Sequence, residues 1–405
     1  MRAGADRKPL DPLLVLELTE GQAGATCTQV LAWLGARVIK VEPPQGEPGR
    51  RVGEGVDPQV GGVFFFLHNT NKQSITLNLH HPRGPALLTQ LVAKADVVVD
   101  NLKPGTLERL GLPYARLREA NPTLIYATLS GFGSDGPYRA FPCTEAVAEA
   151  LGGGLGTTGF PHRPPTLPRS DAGESGAGLH AALAILAAVA DCLDTGRGHQ
   201  VEVTMQEAVV NLVRTRLWPT YITGKPYPRQ GNDLLTVPGG TYPCKPGGPN
   251  DYVYVFVHPD VPAMWHGCLR AMGREDLIGD PRYEEARARM ARREEVEKLF
   301  TDWSLTLDKR QVMEALGRHG VPCGAVLDSA ELLDDPHLQA RGFFVPLAHP
   351  HYGRLSVPGC PIRLDDTPAA LTPPPRLGAD NAAVYGELLG LTPAQLEQLR
   401  HEGVI

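Results

Sequence analysis

The chain has little from which a metal or redox centre could be assembled. Its seven cysteines, at positions 27, 143, 192, 244, 268, 323 and 360, stand far apart. With no C-x-x-C pair and no His/Cys cluster, the sequence predicts no metal site and reads most of its thiols as buried and unpaired. Long apolar runs of roughly 18 residues or more are missing. The opening MRAGADRKPLDP has no signal-peptide core, so a cytoplasmic protein without a membrane partner is expected. Cationic excess is missing too: 39 Lys and Arg against 45 Asp and Glu leave a net charge of −6. The basic residues are scattered, which argues against a nucleic-acid partner.

What is present describes a globular chain. Its 405 residues are 42% apolar and 21% charged, more than one ordinary core accommodates, so two domains are expected. Residues 13–17 (LLVLE) read as a strand, 22–34 as a helix and 37–41 (RVIKV) as a second strand, a β-α-β unit of about 30 residues. The first turn is Glu20-Gly21-Gln22-Ala23-Gly24 and lacks G-x-G-x-x-G, which disfavours a nicotinamide enzyme. A helix over 81–95 and strands over 97–99 and 124–130 repeat the alternation and predict a parallel α/β sheet. Residues 224–249 are rich in Pro and Gly and read as a linker. Beyond it, a strand at 252–257 and helices at 264–272, 282–293, 296–305 and 309–320 form a smaller unit.

The most informative stretch is Ser170 to Ala208. Residues 176–193 are apolar on nearly every face, which predicts a helix buried on all sides. Thr195-Gly196-Arg197-Gly198 ends it, residues 200–205 alternate as a strand, and helical spacing returns at Gln206. Asp171 precedes the long helix. With Glu174 three residues on, it fits a capping box, the commoner use of such an aspartate. Gly173, Gly176 and Gly178 thin the first turn and admit another group close to the backbone. A carboxylate beside exposed helix N–H groups is also electrostatically favoured. Spacing alone leaves a cap and a functional carboxylate both open.

The run Asp171-Ala-Gly, Thr195-Gly196-Arg197-Gly198-His-Gln200-Val-Glu-Val and Met205-Gln-Glu207-Ala208 resembles the core signature of the class III (family III) CoA-transferases. So do Leu16-Glu17-Leu18-Thr19, Gln22-Ala23-Gly24, Leu34-Gly35-Ala36-Arg37-Val38-Ile39-Lys40-Val41-Glu42 and Asp335-Pro336-His337. The resemblance spans almost the whole chain. It implies a Rossmann-like α/β large domain, a smaller α+β domain, and a CoA thioester as substrate with no permanently bound cofactor. Asp171 would be the covalent nucleophile and Gln22 would face the thioester. Asn71 and Lys72 would lie along the CoA nucleotide, the lysine near a phosphate. Asn101 and Arg109 belong to the family's N-x-x-P-G-x-L-E-R block, whose arginine reaches the CoA phosphates. Taken without the resemblance, Asn71 and Lys72 read as a turn and Arg109 as a surface charge.

Several positions bear on the branch of the family. Racemases carry a histidine-aspartate pair where this chain has Thr144 and Glu145. Threonine cannot shuttle a proton at an α-carbon, so transfer is favoured and Glu145 becomes an accessory of the site. The formyl-CoA:oxalate branch has a longer glycine-rich loop where this chain has Gly239-Gly240, and an arginine where it has Pro43. Thr157-Thr158-Gly159-Phe160 and the segment from Met205 to Arg214 lean toward that branch, so donor and acceptor stay open. Gly239, Gly240 and the Gln22 loop are the expected oxyanion donors. The expected division is 1–224 and 338–405 for the large domain and 225–337 for the small one, linked by segments without packing of their own. In the family this goes with a homodimer of interlocked chains. An acyl-CoA racemase, an intramolecular CoA-transfer isomerase and a non-catalytic CoA-binding protein are the competing readings.

Overall fold

The structure is a computed structural model that describes residues 8–11, 13–53, 56–234, 236–364 and 370–405. The described chain separates into two compact units. The first comprises Met1–Thr157, Thr166–Tyr227 and Gly342–Ile405; the second comprises Thr158–Pro165 and Pro228–Arg341.

The first unit is organised by a parallel sheet of six strands: β1 (Leu14–Leu18), β2 (Arg37–Glu42), β3 (Lys72–Thr76), β4 (Val97–Asp100), β5 (Ile125–Ser130) and β6 (Gln200–Thr204). Their spatial order is β3-β2-β1-β4-β5-β6, and every pairing is parallel. This is the doubly wound order, in which the chain reverses direction across the sheet between β1 and β4. Central strands of such a sheet are covered on both faces, which is why β1 and β4 read as near-continuous apolar runs. Alternate residues feed two cores. Leu14, Leu16 and Leu18 face one core. Val15 faces the other, with Val38, Val97 and Val99.

Ten helices of this unit, taken in chain order, are α1 (Gln22–Trp33), α2 (Val63–His68), α3 (Gly84–Val92), α4 (Thr106–Arg109), α5 (Tyr114–Ala120), α6 (Glu145–Leu151), α7 (Gly154–Thr157), α8 (Glu174–Thr195), α9 (Met205–Val213) and α10 (Trp218–Thr223). Leu87, Leu91 and Leu117 from α3 and α5 join the first core. It is completed by Val384, Tyr385, Leu396 and Leu399 from the helices Asn381–Leu389 and Pro393–His401, so both ends of the chain build this unit. Residues from α1, α8 and α9 close the second core. Gly178 permits the α1–α8 contact: a Cβ there would stand 2.5 Å from the Ala23 carbonyl oxygen.

The long helix α8 corrects one expectation. Gly176, Ala177, Ala181, Ile185 and Ala188 are buried, but Leu179, Leu183 and Leu193 are 53%, 68% and 82% exposed. The side facing the sheet carries small residues that allow close approach, and the leucines lie on the outer face. By length and apolarity the helix could cross a membrane, yet one face is core.

The second unit holds β7 (Gly239–Pro243), β8 (Tyr252–Phe256) and β9 (Cys323–Ala325) in an antiparallel sheet. Helices Pro262–Ala271, Arg293–Ser304 and Lys309–Arg318 pack on it around Trp265, Phe300 and Leu316. The linking segments are therefore partly structural: β7 lies within residues 224–249, and residues 321–337 hold β9 and the short helix Ser329–Leu333, with the helix Pro336–Ala340 beginning there. The first unit resumes with the hairpin β10 (Phe344–His349) and β11 (Gly353–Pro358). Of the seven free thiols, Cys27, Cys244 and Cys268 are buried and four are half-buried, fewer buried than composition suggested.

Candidate active site

In a doubly wound sheet, ligands bind beyond the carboxyl ends of the strands where the strand order reverses. Here the loops after β1, β4 and β5 and the start of α9 after β6 enclose a cleft of about 350 Å³. Gln22, Asn101, Ser130, Phe141, Glu174 and Met205 are among its walls.

Asp171 stands beside it, two residues before the N-cap of α8. The Nε2 amide of Gln22 donates to Asp171 Oδ2 at 3.1 Å and to Ser175 Oγ at 2.9 Å. Both amide hydrogens are thereby committed, and one carboxylate oxygen is held from the first turn of α1. Asp171 adopts φ 50°, the left-handed region that L-residues other than Asn and Asp rarely enter. Its carbonyl accepts from the Ser175 amide at 2.8 Å.

The capping-box reading fails. Gly173 is the N-cap residue and no side chain of its own segment caps the helix. The carboxylate of Glu145, from α6, does so across 28 residues: its Oε1 accepts from Gly173 N–H at 3.1 Å and its Oε2 from Glu174 N–H at 2.6 Å. Gly173 lacks a Cβ because Glu145 Oε2 would lie 2.8 Å from it. Glu145 thus clamps the start of the helix that Asp171 precedes. Around it the carboxylates crowd. Burial, then Glu145 and Asp171, push both Glu149 and Glu174 above the usual carboxylate range. Glu149 is 1% exposed and its Oε2 has no hydrogen-bond partner.

Asn101 supports the loop before α1, its Oδ1 accepting from Glu20 N–H at 2.8 Å and its Nδ2 donating to the Glu20 carbonyl at 2.6 Å. Arg109 is exposed and bonds only locally, to Thr106 Oγ1 at 2.9 Å. Asn71 ties residues 370 and 372, donating to the Ala370 carbonyl at 2.7 Å and accepting from Thr372 N–H at 3.0 Å. Lys72 does not fit its expected place near a phosphate. Its ammonium is buried and its three donors go to Glu17 Oε2 at 2.9 Å, Asn69 Oδ1 at 2.9 Å and the Ala25 carbonyl at 3.2 Å. Gly239 and Gly240 open β7 in the second unit. The Gly239 amide donates to the Tyr242 hydroxyl at 2.9 Å, which leaves it no hydrogen for an oxyanion. The first unit therefore gathers Asp171, Gln22 and Glu145. Ser175 and Glu149 are additions that the motifs did not single out, although Ser175 lies four residues from Asp171, one helical turn on, and Glu174, read from the sequence only as half of a capping box, lines the cleft.

Residues 10–381 match the family described as CoA-transferase family III. The chain belongs to CoA-transferase family III. It is an acyl-CoA:carboxylate CoA-transferase by family, and its substrate class is the CoA thioester. A curated relative named formyl-CoA:oxalate CoA-transferase, from Streptomyces avermitilis, is 41% identical over 98% of this chain and 100% of its own length. A relative of the same name from Bradyrhizobium is 35% identical over 98% of this chain and 97% of its own. Among solved structures, a CAIB/BAIF family protein from Brucella suis superposes with TM-score 0.83 and 30% identity, covering 95% of this chain and 100% of that one. A Mycobacterium tuberculosis structure gives TM-score 0.78 at 28% identity, covering 93% and 98%.

Proposed function

We propose that this protein moves CoA between a thioester and a free carboxylate through covalent intermediates on Asp171, with formyl-CoA and oxalate as the pair. The observation that carries the mechanism is the carboxylate of Asp171, held by the Gln22 amide beside a cleft at the sheet's reversal point. The relatives' names supply the substrate pair. Asp171 attacks the donor carbonyl, the C–S bond breaks, and a mixed anhydride and CoA thiolate result. The thiolate then attacks the aspartyl carbonyl, releasing the donor acid and leaving an aspartyl-CoA thioester. The acceptor carboxylate attacks that thioester, freeing thiolate and forming a second anhydride. Return of the thiolate to the acceptor's carbonyl yields the new thioester and regenerates Asp171. The thioester is conserved over the whole cycle, and neither ATP nor a proton at an α-carbon is involved.

Mixing the protein with formyl-CoA and measuring intact mass should reveal a CoA adduct less one water, which hydroxylamine removes. Asp171→Ala should lose both adduct and turnover. Normal transfer in that variant refutes the mechanism, and an adduct without oxalate turnover refutes the acceptor.

The same reading extends to assembly as an interlocked homodimer. Its support is the outer face of α8, where Leu179, Leu183 and Leu193 are exposed, and the neighbouring exposed Leu212, Trp218, Tyr221 and Ile222 of α9 and α10. Exposed apolar side chains grouped in this way are what contact with a second chain would cover. Light scattering should give about twice 43.6 kDa at every dilution, because linked chains separate only by unfolding. A fall to monomer mass on dilution counts against interlocking.

A further inference from the structure

Beneath the Gln22 loop lies a set of buried charges that transfer chemistry does not require. Glu17 and Lys40 are cross-strand neighbours on β1 and β2, and both side chains are fully buried. Glu17 receives Lys40 at 2.9 Å on one oxygen and Lys72 at 2.9 Å on the other. Thr19 and Thr28 hydroxyls donate to the same two oxygens, at 2.7 and 2.8 Å. Burial works to raise this carboxyl, but the two lysines and these bonds hold it at about 2. Lys40 also reaches Glu47 at 3.3 Å, and Glu47 is 2% exposed.

The network ends on main chain. Lys40 Nζ donates to the Thr19 carbonyl at 2.8 Å. Asn101 takes both polar groups of Glu20. Glu47 Oε2 accepts from the Gly21 amide at 3.0 Å. Four successive backbone groups are thus fixed, from the Thr19 carbonyl to the Gly21 N–H, and the next residue is Gln22. Gly21 itself sits at φ 70°, so the turn into α1 is tight as well as tethered.

We infer that Glu47 is a positioning residue for catalysis. Through the Gly21 amide it sets where Gln22 meets Asp171, and the Lys40–Glu17–Lys72 ions fix Glu47 in turn. A buried ion network is poor value for stability alone, since desolvation cancels most of the attraction. Placement to a few tenths of an ångström is a task for which its rigidity is suited. The inference rests on the reading of Asp171 as nucleophile.

The test is a double-mutant cycle on the rate of CoA-adduct formation with formyl-CoA, using Gln22→Ala, Glu47→Gln, Asn101→Ala and the two pairs with Gln22→Ala. Glu47→Gln keeps one acceptor for Gly21 and loses the charge that Lys40 grips. Asn101→Ala releases the adjoining residue without touching a buried ion, so it stands in if the Glu47 variant does not fold. Each single change should slow adduct formation by about 10- to 100-fold, the cost of small misplacement, with the concentration of formyl-CoA at half-saturation moving less than about 2-fold. In the Gln22→Ala background each should cost less than about 2-fold, because the group they position is gone. Additive losses, or wild-type rates in both single variants, overturn the inference. A wild-type protein that forms no adduct overturns the Asp171 reading instead.

Discussion

Glu145 offers a measurable link between fold and site. Glu145→Ala strips the acceptors from two N–H groups at the start of α8. Hydrogen bonds to a charged group are worth about 1.5–3 kcal/mol each when nothing replaces them. Glu145 is half-buried, so water takes over part of the role, and the loss falls toward that of an N-cap, about 0.5–2 kcal/mol. The helix dipole adds about 0.3–1 kcal/mol. Against this, Glu149 and Glu174 are raised in part by the Glu145 charge, and its removal relieves them. The net destabilisation expected is about 1–2 kcal/mol. Glu145→Gln, which keeps one acceptor and also relieves the repulsion, should cost about half as much. Urea midpoints measure the stability, and the rate of CoA-adduct formation measures the site. That rate should fall about 10-fold or more in Glu145→Ala, since Gly173 is two residues from Asp171. An Ala variant with wild-type midpoint and wild-type rate would show that the clamp neither holds the helix nor places Asp171.

Two further outcomes follow from particular contacts. Gly178→Ala puts a methyl 2.5 Å from the Ala23 carbonyl oxygen and must part α1 from α8; a loss of about 1–3 kcal/mol and a slower adduct are expected, checked by the same two assays. Glu149 is a folded-state acid raised above its unfolded value, so its contribution to stability is full below pH 4.5 and lost as pH rises through the raised folded value. Glu149→Gln should therefore gain on the wild type in urea midpoint between pH 4.5 and pH 8, and a difference that stays constant with pH refutes the assignment.

Much of this fold was readable because a doubly wound sheet writes itself in local runs. LVLEL, RVIKVE and VVVD are short, apolar and separated by helical spacing, and each became a buried strand. What escaped was set by partners distant in the chain. The capping box at Asp171 was locally sound but lost to Glu145, which lies 28 residues before the Gly173 N–H that it caps. Lys72 looked like a free cation because nothing nearby in sequence announced that Glu17, 55 positions away, would take it. A signal existed: a glutamate and a lysine at the centre of adjacent apolar strands, Glu17 and Lys40, can only be buried as a pair. The Pro/Gly-rich stretch hid β7 because glycines that pair edge-on in a sheet look like those of a loop. The leucines of α8 read as core since hydropathy does not distinguish a domain interior from an exposed apolar face.

The left-handed backbone at position 171 has an evolutionary consequence. Glycine would occupy φ 50° without steric cost and asparagine nearly so. The backbone thus makes no demand for a carboxylate there, and in a lineage without the proposed chemistry glycine or asparagine could take the position at little conformational cost. Aspartate at this position in a sister chain would therefore call for a reason other than the backbone, and the covalent role proposed for Asp171 would be one.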